Sequence, residues 1–365
     1  MMQIKEVIKV LEDFANPGFQ ENYDNAQLIV GDRNLVATGA ILTLDSTEDV
    51  VDEAISKNCN LIIAHHPIVF SGLKQLTGKN YIERTIIKAI KNNIAIYAMH
   101  TNIDNVIGGV NFKIAEILGL QKIEILAPKK GFLRKLCTYV PTNKSDAVMN
   151  ALFSAGAGNI GNYSECAFQL DGRGSFKAGD LANPIIGEVG VRHMEAEIKI
   201  EVLYNRVDES KVIAALKASH PYEEVPYECV ALQNSHQGLG SGAIGELPEA
   251  LETMQFLYQL KELFKIDAIR FTNPTTDTIK KVALCGGSGS FLLPNAIREK
   301  ADVFITGDFK YHEFFNADGQ IIIADIGHYE SEQFTKELFK EILQKKIPNF
   351  ATHLSQVITN PINYI

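Results

Sequence analysis

Apolar residues at 4, 7, 8, 11 and 14 recur at helical spacing, so the chain opens with an amphipathic helix over residues 3–15. From 39 to 120, short apolar runs alternate with helix-patterned segments. The expected strands are 39–44, 61–64 and 94–99, and the expected helices are 48–57, 82–92 and 110–118. Such alternation predicts a parallel or mainly parallel α/β sheet. The rhythm changes after Ala127-Pro128-Lys129-Lys130-Gly131. Strands at 132–140, 166–170, 197–204 and 224–232, with helices at 145–154 and 209–218, give the βαββαβ order of a ferredoxin-like module. Past Gln233–Gly238 the α/β rhythm returns, with a helix at 249–264, strands at 268–271, 281–284, 303–306 and 321–325, and a long helix over 330–344. The expected fold class is therefore α/β: a discontinuous domain with a central, mainly parallel sheet (residues 1–130 and 236–365), interrupted by a ferredoxin-like α+β insert (131–235).

Composition narrows the function classes. With 46% apolar and 22% charged residues the chain can bury a large core, and its net charge of −9 argues against nucleic acid or an anionic membrane as partner. No apolar run reaches membrane-spanning length, and the N-terminus lacks a signal-peptide pattern. The five cysteines are odd in number and form no CxxC pair, which predicts free thiols and a cytoplasmic location.

The chemistry gathers where strands end. The strand at 61–64 runs into His65-His66-Pro67, that at 94–99 into His100-Thr101-Asn102-Ile103-Asp104, and that at 321–325 into Gly327-His328-Tyr329-Glu330-Ser331-Glu332. The carboxyl ends of strands are the ligand-binding edge of an open α/β sheet. His328 and Glu332, four apart at a helix start, share a face. Three imidazoles and two carboxylates, with no cysteine among them, suit a pair of hydrolytic metal ions sharing a bridging carboxylate. Zinc, manganese or ferrous iron would be compatible. His100, Asp308 and His312 stand on the same rim as candidates for proton transfer, ligand orientation or substrate contact. Plainer readings stand beside these: Asp104 and Asp308 as helix caps, His100 as a satisfied core histidine, Asp24-Asn25 as a turn. The run Gly286–Ser290 reads as a tight strand-to-helix turn or as a weak phosphate cradle. In the insert, His220, Glu223 and Glu224 are weighed as a further metal group and set aside in favour of a lid, a ligand sensor or an assembly surface.

On these residues the chain resembles the Nif-three-like family, widely labelled GTP cyclohydrolase I type 2 homologues. The resemblance covers essentially the whole chain and rests on His65-His66-Pro67, His100–Asp104, Gly307-Asp308 with Tyr311-His312, Gly327-His328-Tyr329 with Ser331-Glu332, and Asn360-Pro361. It implies two divalent ions held by His65, His66, Asp104, His328 and Glu332, with Glu332 bridging. It also implies a homohexameric ring and an insert similar to the PII and CutA folds. Where the family usually carries Trp-Asp-Asn-x-Gly-Leu, this chain has Tyr23-Asp24-Asn25-Ala26-Gln27-Leu28. The expected function is that of a metal-dependent hydrolase acting on a nucleotide-like small molecule. A non-catalytic metal carrier or sensor, with a regulatory insert, is the alternative.

Overall fold

The computed structural model describes residues 2–365. The chain divides into two compact units, one formed by the residues through Ala127 together with Leu239–Ile365, the other by Pro128–Gly238.

In the first unit, helix Ile4–Phe14 buries Ile4, Val7, Ile8 and Leu11 along one stripe and packs against helix Thr335–Lys346. A five-stranded sheet runs in the order Leu28–Val30, Ala95–Ala98, Leu61–Ala64, Ala40–Thr43, Thr352–Leu354. Its last four strands are parallel and its first is antiparallel. Every residue of the three central strands is buried, as expected of a parallel sheet covered on both faces. Helices Glu48–Ser56 and Tyr81–Lys91 pack over Ile41, Ile62 and Ile96, and each begins at a side-chain cap, Thr47 and Asn80.

A second sheet follows the order Arg270–Phe271, Ile322–Asp325, Val303–Gly307, Thr278–Ser288, Ser235–Glu252, Gln121–Lys130. Its middle three strands are parallel, and Arg270–Phe271 and Ser235–Glu252 pair antiparallel to them. The mainly parallel α/β architecture thus holds, with its strands shared between two sheets instead of one. The extra ladder comes from Ser235–Glu252, whose glycines at 238, 240, 242 and 245 hide strand alternation. It also takes up the start of the segment expected to be helical from 249, and the helix itself is Thr253–Phe264. The long helix expected over 330–344 is broken into His328–Glu332 and Thr335–Lys346.

The second unit has an antiparallel four-stranded sheet in the order Ala167–Lys177, Arg192–Asn205, Leu133–Pro141, Tyr227–Ala231. Helices Ser145–Ser154 and Glu209–Ser219 cover one face, so the element order is the βαββαβ expected of residues 132–232. Alternation along Arg192–Asn205 turns Ile198, Ile200, Val202 and Tyr204 toward the helices. Glu195, Glu197, Lys199 and Glu201 therefore occupy the opposite face. Among the described residues, no helix is long and apolar enough to cross a membrane.

Candidate metal centre

Each candidate ligand stands just beyond a strand of the first unit. His65 and His66 follow Leu61–Ala64, and the backbone N–H of each donates to Leu44 O, at 3.1 and 2.9 Å, which turns the chain at the sheet edge. The His65 Nδ1 lies 2.9 Å from Met99 O. A carbonyl only accepts, so Nδ1 carries the proton and Nε2 faces inward. His66 Nδ1 lies 2.8 Å from Asp45 Oδ1, and the second oxygen of that carboxylate accepts from Thr359 Oγ1 at 2.6 Å. His328 Nδ1 lies 2.7 Å from Asp308 Oδ2. All three rings are therefore fixed with Nε2 toward a common point, the arrangement that outer hydrogen bonds impose on metal-binding histidines. Asp104 closes the short helix Thr101–Asp104, and Glu332 closes His328–Glu332.

The two oxygens of Glu332 serve different neighbours. Its Oε1 is 3.6 Å from His65 Nε2, which is itself 3.7 Å from Asp104 Oδ1. Its Oε2 is 3.1 Å from His66 Nε2 and 3.2 Å from His328 Nε2. Two donor groups, His65–Asp104–Glu332 and His66–His328–Glu332, each with its ligand atoms within 4.8 Å of one another, are joined through this one carboxylate, and a third, His65–His66–His100, lies beside them without it. His65 Nε2 and Asp104 Oδ1 are buried without a hydrogen-bond partner. Leaving such atoms unpaired is costly in a folded interior, and a cation between them would satisfy both. The donor set, imidazole nitrogen and carboxylate oxygen without thiolate, fits divalent ions. These side chains can hold metal.

Charge in the cluster is sharply divided. Burial drives the His65 imidazole down to about 4, against the pull of Glu332. Burial also opposes charge on His66 and His328, but contacts with Asp45 and Glu332 raise the first to about 10, and contacts with Glu332 and Asp308 raise the second to about 9. Asp104 is pushed up by burial and by Glu332, whereas Glu332 is held down, against burial, by the surrounding imidazoles.

The Gly286–Ser290 segment has a different role from a phosphate cradle. Its first two glycines lie within strand Thr278–Ser288, and the Gly286 and Gly287 N–H groups already donate to Asn111 Oδ1 and Ser331 Oγ, each at 2.9 Å. Gly287 has φ +61°, and a Cβ there would overlap Glu332 Oε1. The glycine pair makes room for the shared carboxylate.

Of the other candidates, His100 lies beside the cluster, its ring 5.2 Å from that of His65 and 5.4 Å from that of His66. Its Nδ1 is 2.8 Å from Asp24 Oδ1, leaving Nε2 free of that bond. The other Asp24 oxygen accepts from the Thr101 N–H at 3.0 Å and from the Thr101 hydroxyl. Burial would raise the Asp24 carboxyl, but the His100 and Thr101 bonds hold it at about 2. Asp24 is thus more than part of a turn. Asp308 sits in the left-handed region at φ 60° and orients His328. His312 does not join the group: its ring rests against Tyr311 and Phe315, with centroids 5.1 and 6.5 Å away. In the insert, His220 Nε2 is 3.0 Å from Tyr139 O and its Nδ1 accepts from the Tyr222 N–H at 3.1 Å, which makes it a satisfied structural histidine.

Above the cluster lies a cavity of about 880 Å³. His66, His100, Asp104, His328 and Glu332 reach it, and the aromatic rings of Tyr23, Phe70, Tyr81 and Phe291 line its walls.

The profile of a family described as Duf34/NIF3 (NGG1p interacting factor 3) matches residues 2–361. A Halalkalibacterium halodurans protein named GTP cyclohydrolase 1 type 2 homolog is 39% identical over 365 residues, covering 98% of each chain. A Bacillus subtilis protein of the same name is 36% identical over 371 residues, covering 99% of this chain and 98% of its own. Among solved structures, a Bacillus cereus protein related to NIF3 superposes with a TM-score of 0.84 at 36% identity, covering 100% of this chain and 99% of its own.

Proposed function

The chain belongs to the Duf34/NIF3 family, and from that membership and the geometry of its site we propose that it is a metal-dependent hydrolase acting on a nucleotide-like substrate. The observation that carries this reading is Glu332, whose two oxygens face two separate donor groups at the floor of an aromatic-walled cavity. His65, Asp104 and Glu332 would hold one divalent ion, and His66, His328 and Glu332 the other, with zinc the first choice. Such a pair, when bound, supplies Lewis acidity and a water of lowered pKa.

The chain's own residues do the rest. Asp45, Asp308 and the Met99 carbonyl hold the three ligand imidazoles in one tautomer. Asp24 does the same for His100, which keeps its Nε2 available for moving a proton at the cavity wall. The rings of Tyr23, Phe70 and Phe291 give a planar heterocycle surfaces on which to stack. The names of the relatives supply the first substrate to test, GTP, in which one water opens the imidazole ring at C8 to a formamide and a second water hydrolyses that formamide to formate and the free amine. A cytoplasmic homohexamer completes the proposal.

Formate release from GTP by the zinc-loaded protein, with Glu332→Ala and His100→Ala beside it, tests the reading. Turnover abolished in Glu332→Ala and slowed in His100→Ala supports it. Equal turnover in all three would refute it. No turnover in any would remove the cyclohydrolase assignment and leave another hydrolase substrate or the metal carrier or sensor.

A further inference from the structure

The insert holds a second cavity, of about 700 Å³, on the face of its sheet opposite the helices. That face carries charged residues by alternation, yet Glu197, opposite the last residue of Leu133–Pro141, is only 9% exposed. Two features bury it. The facing strand carries glycine at 172, directly opposite Glu197, and at 174, and the carboxylate lies in the room that a Cβ at Gly174 would take. The segment from Ala178 to Ile186 and the loop at Tyr222 also line the space. The Glu197 Oε1 accepts from the Tyr222 hydroxyl at 2.7 Å. No group among the described residues donates to Oε2, and a Cβ at Gly174 would overlap it.

With Oε1 held by Tyr222 and Oε2 accepting from no protein group yet not sealed from solvent, the carboxylate is oriented and open to a donor that enters the cavity. Its surroundings define that donor. The Phe176 and Tyr222 rings stand 6.3 Å apart at 58°, and Leu170, Pro184 and Ile185 add apolar wall. Three carboxylates, Glu197, Glu223 and Glu224, line the cavity against Lys199, which is already paired with Glu201 at 2.7 Å. Aromatic faces and an excess of negative charge select cations.

We propose that this cavity of the insert binds a small organic cation, a protonated amine or amidinium on an apolar body, whose N–H donates to Glu197 Oε2 while its body lies against Phe176 and Tyr222. The site is independent of the metal centre and of the reading given to it.

Calorimetric titration of the full chain, stripped of metal by EDTA, tests this with benzamidine, its neutral isostere benzamide and its anionic counterpart benzoate. Benzamidine should bind with one-to-one stoichiometry, and benzamide about 10- to 100-fold more weakly, the effect of losing a charge-assisted hydrogen bond. Glu197→Gln should weaken benzamidine to a similar extent. So should Gly174→Ala, which sets a methyl group against Oε2 and tests the same atom if the first variant folds poorly. Benzoate binding tighter than benzamidine, benzamide binding as well, or both folded variants binding as the wild type does would overturn the proposal. Absence of binding by both benzamidine and n-butylamine at about 10 mM, where even millimolar affinity registers, would do so too.

Discussion

Glu332→Gln is the sharpest test of the metal centre. The substitution keeps the side chain's shape but removes its charge and replaces one ligating oxygen with an amide nitrogen. Because both proposed ion sites count Glu332 as their third member, the variant leaves His65 with Asp104, and His66 with His328. Two protein ligands fall short of the three or four that hold a divalent ion tightly, so both ions should be lost together. Ion binding confined to the folded state stabilises it by about 2.7 kcal/mol per site at a free concentration 100 times Kd. For a domain of about 150–250 residues that is about 5–11 °C in Tm per ion. The wild type should therefore show two zinc ions per chain by elemental analysis after gel filtration, with a Tm that falls on adding EDTA. The variant should hold neither ion and show no EDTA effect. Retention of one ion would mean that Glu332 serves a single site, and retention of both would refute the shared-carboxylate reasoning.

The supporting residues make separate predictions. Asp45→Ala removes the partner of His66 Nδ1 and should weaken metal binding about 10- to 100-fold in a competition titration with a chelating dye, leaving the circular dichroism spectrum unchanged. Gly287→Ala forces a side chain into a left-handed position, at about 1–2 kcal/mol, and against Glu332 Oε1, so metal content should drop while the fold persists. The Asp24 side chain is buried, and its folded pKa of about 2 lies below the ordinary 3.8. Its contribution, about 2.5 kcal/mol, is complete above pH 3.8 and lost as pH falls through 2. Urea unfolding of metal-free Asp24→Asn should fall short of wild type by about that amount at pH 5 and by little at pH 2; an equal deficit at both would refute the assignment.

Much of this site was legible because it obeys one rule, that chemistry collects beyond the carboxyl ends of parallel strands. His65, His66, Asp104, His328 and Glu332 all follow apolar runs that are plain in the sequence. The same rule applied to the strand ending at Thr43 would have drawn notice to Asp45. Asp24 had no such signal. It lies in an irregular segment 76 residues before His100, and only the folded chain shows that the two touch. Gly287 is opaque for a related reason: a glycine pair after a strand reads as a turn or a weak phosphate cradle, whereas the atom it admits belongs to Glu332. His312 looked equivalent to Asp308 by proximity in the chain, but the 3₁₀ segment Tyr311–Ala317 turns its ring among Tyr311 and Phe315. The strand Ser235–Glu252 was invisible because glycine carries neither apolar nor polar periodicity.

The centre also explains how a long insertion is tolerated between its halves. His65, His66 and Asp104 come from the first sheet, His328 and Glu332 from the second, and 266 residues separate His66 from the carboxylate it meets. The chain leaves this unit after Ala127 and re-enters at Leu239, on the strands Gln121–Lys130 and Ser235–Glu252, which are neighbours in the second sheet. An insertion whose ends lie on adjacent strands adds loop-closure entropy that grows only slowly with length, and it leaves the strand ends that carry the ligands uninterrupted. Ions bound by both sheets would then act as a cross-link between sequence-distant halves. Metal should protect the backbone amides of Leu61–Ala64 and Ile322–Asp325 from hydrogen exchange together, while the amides of Arg192–Asn205 in the insert exchange at the same rate with and without zinc. Protection confined to one of the two sheets would show that the ions do not span them.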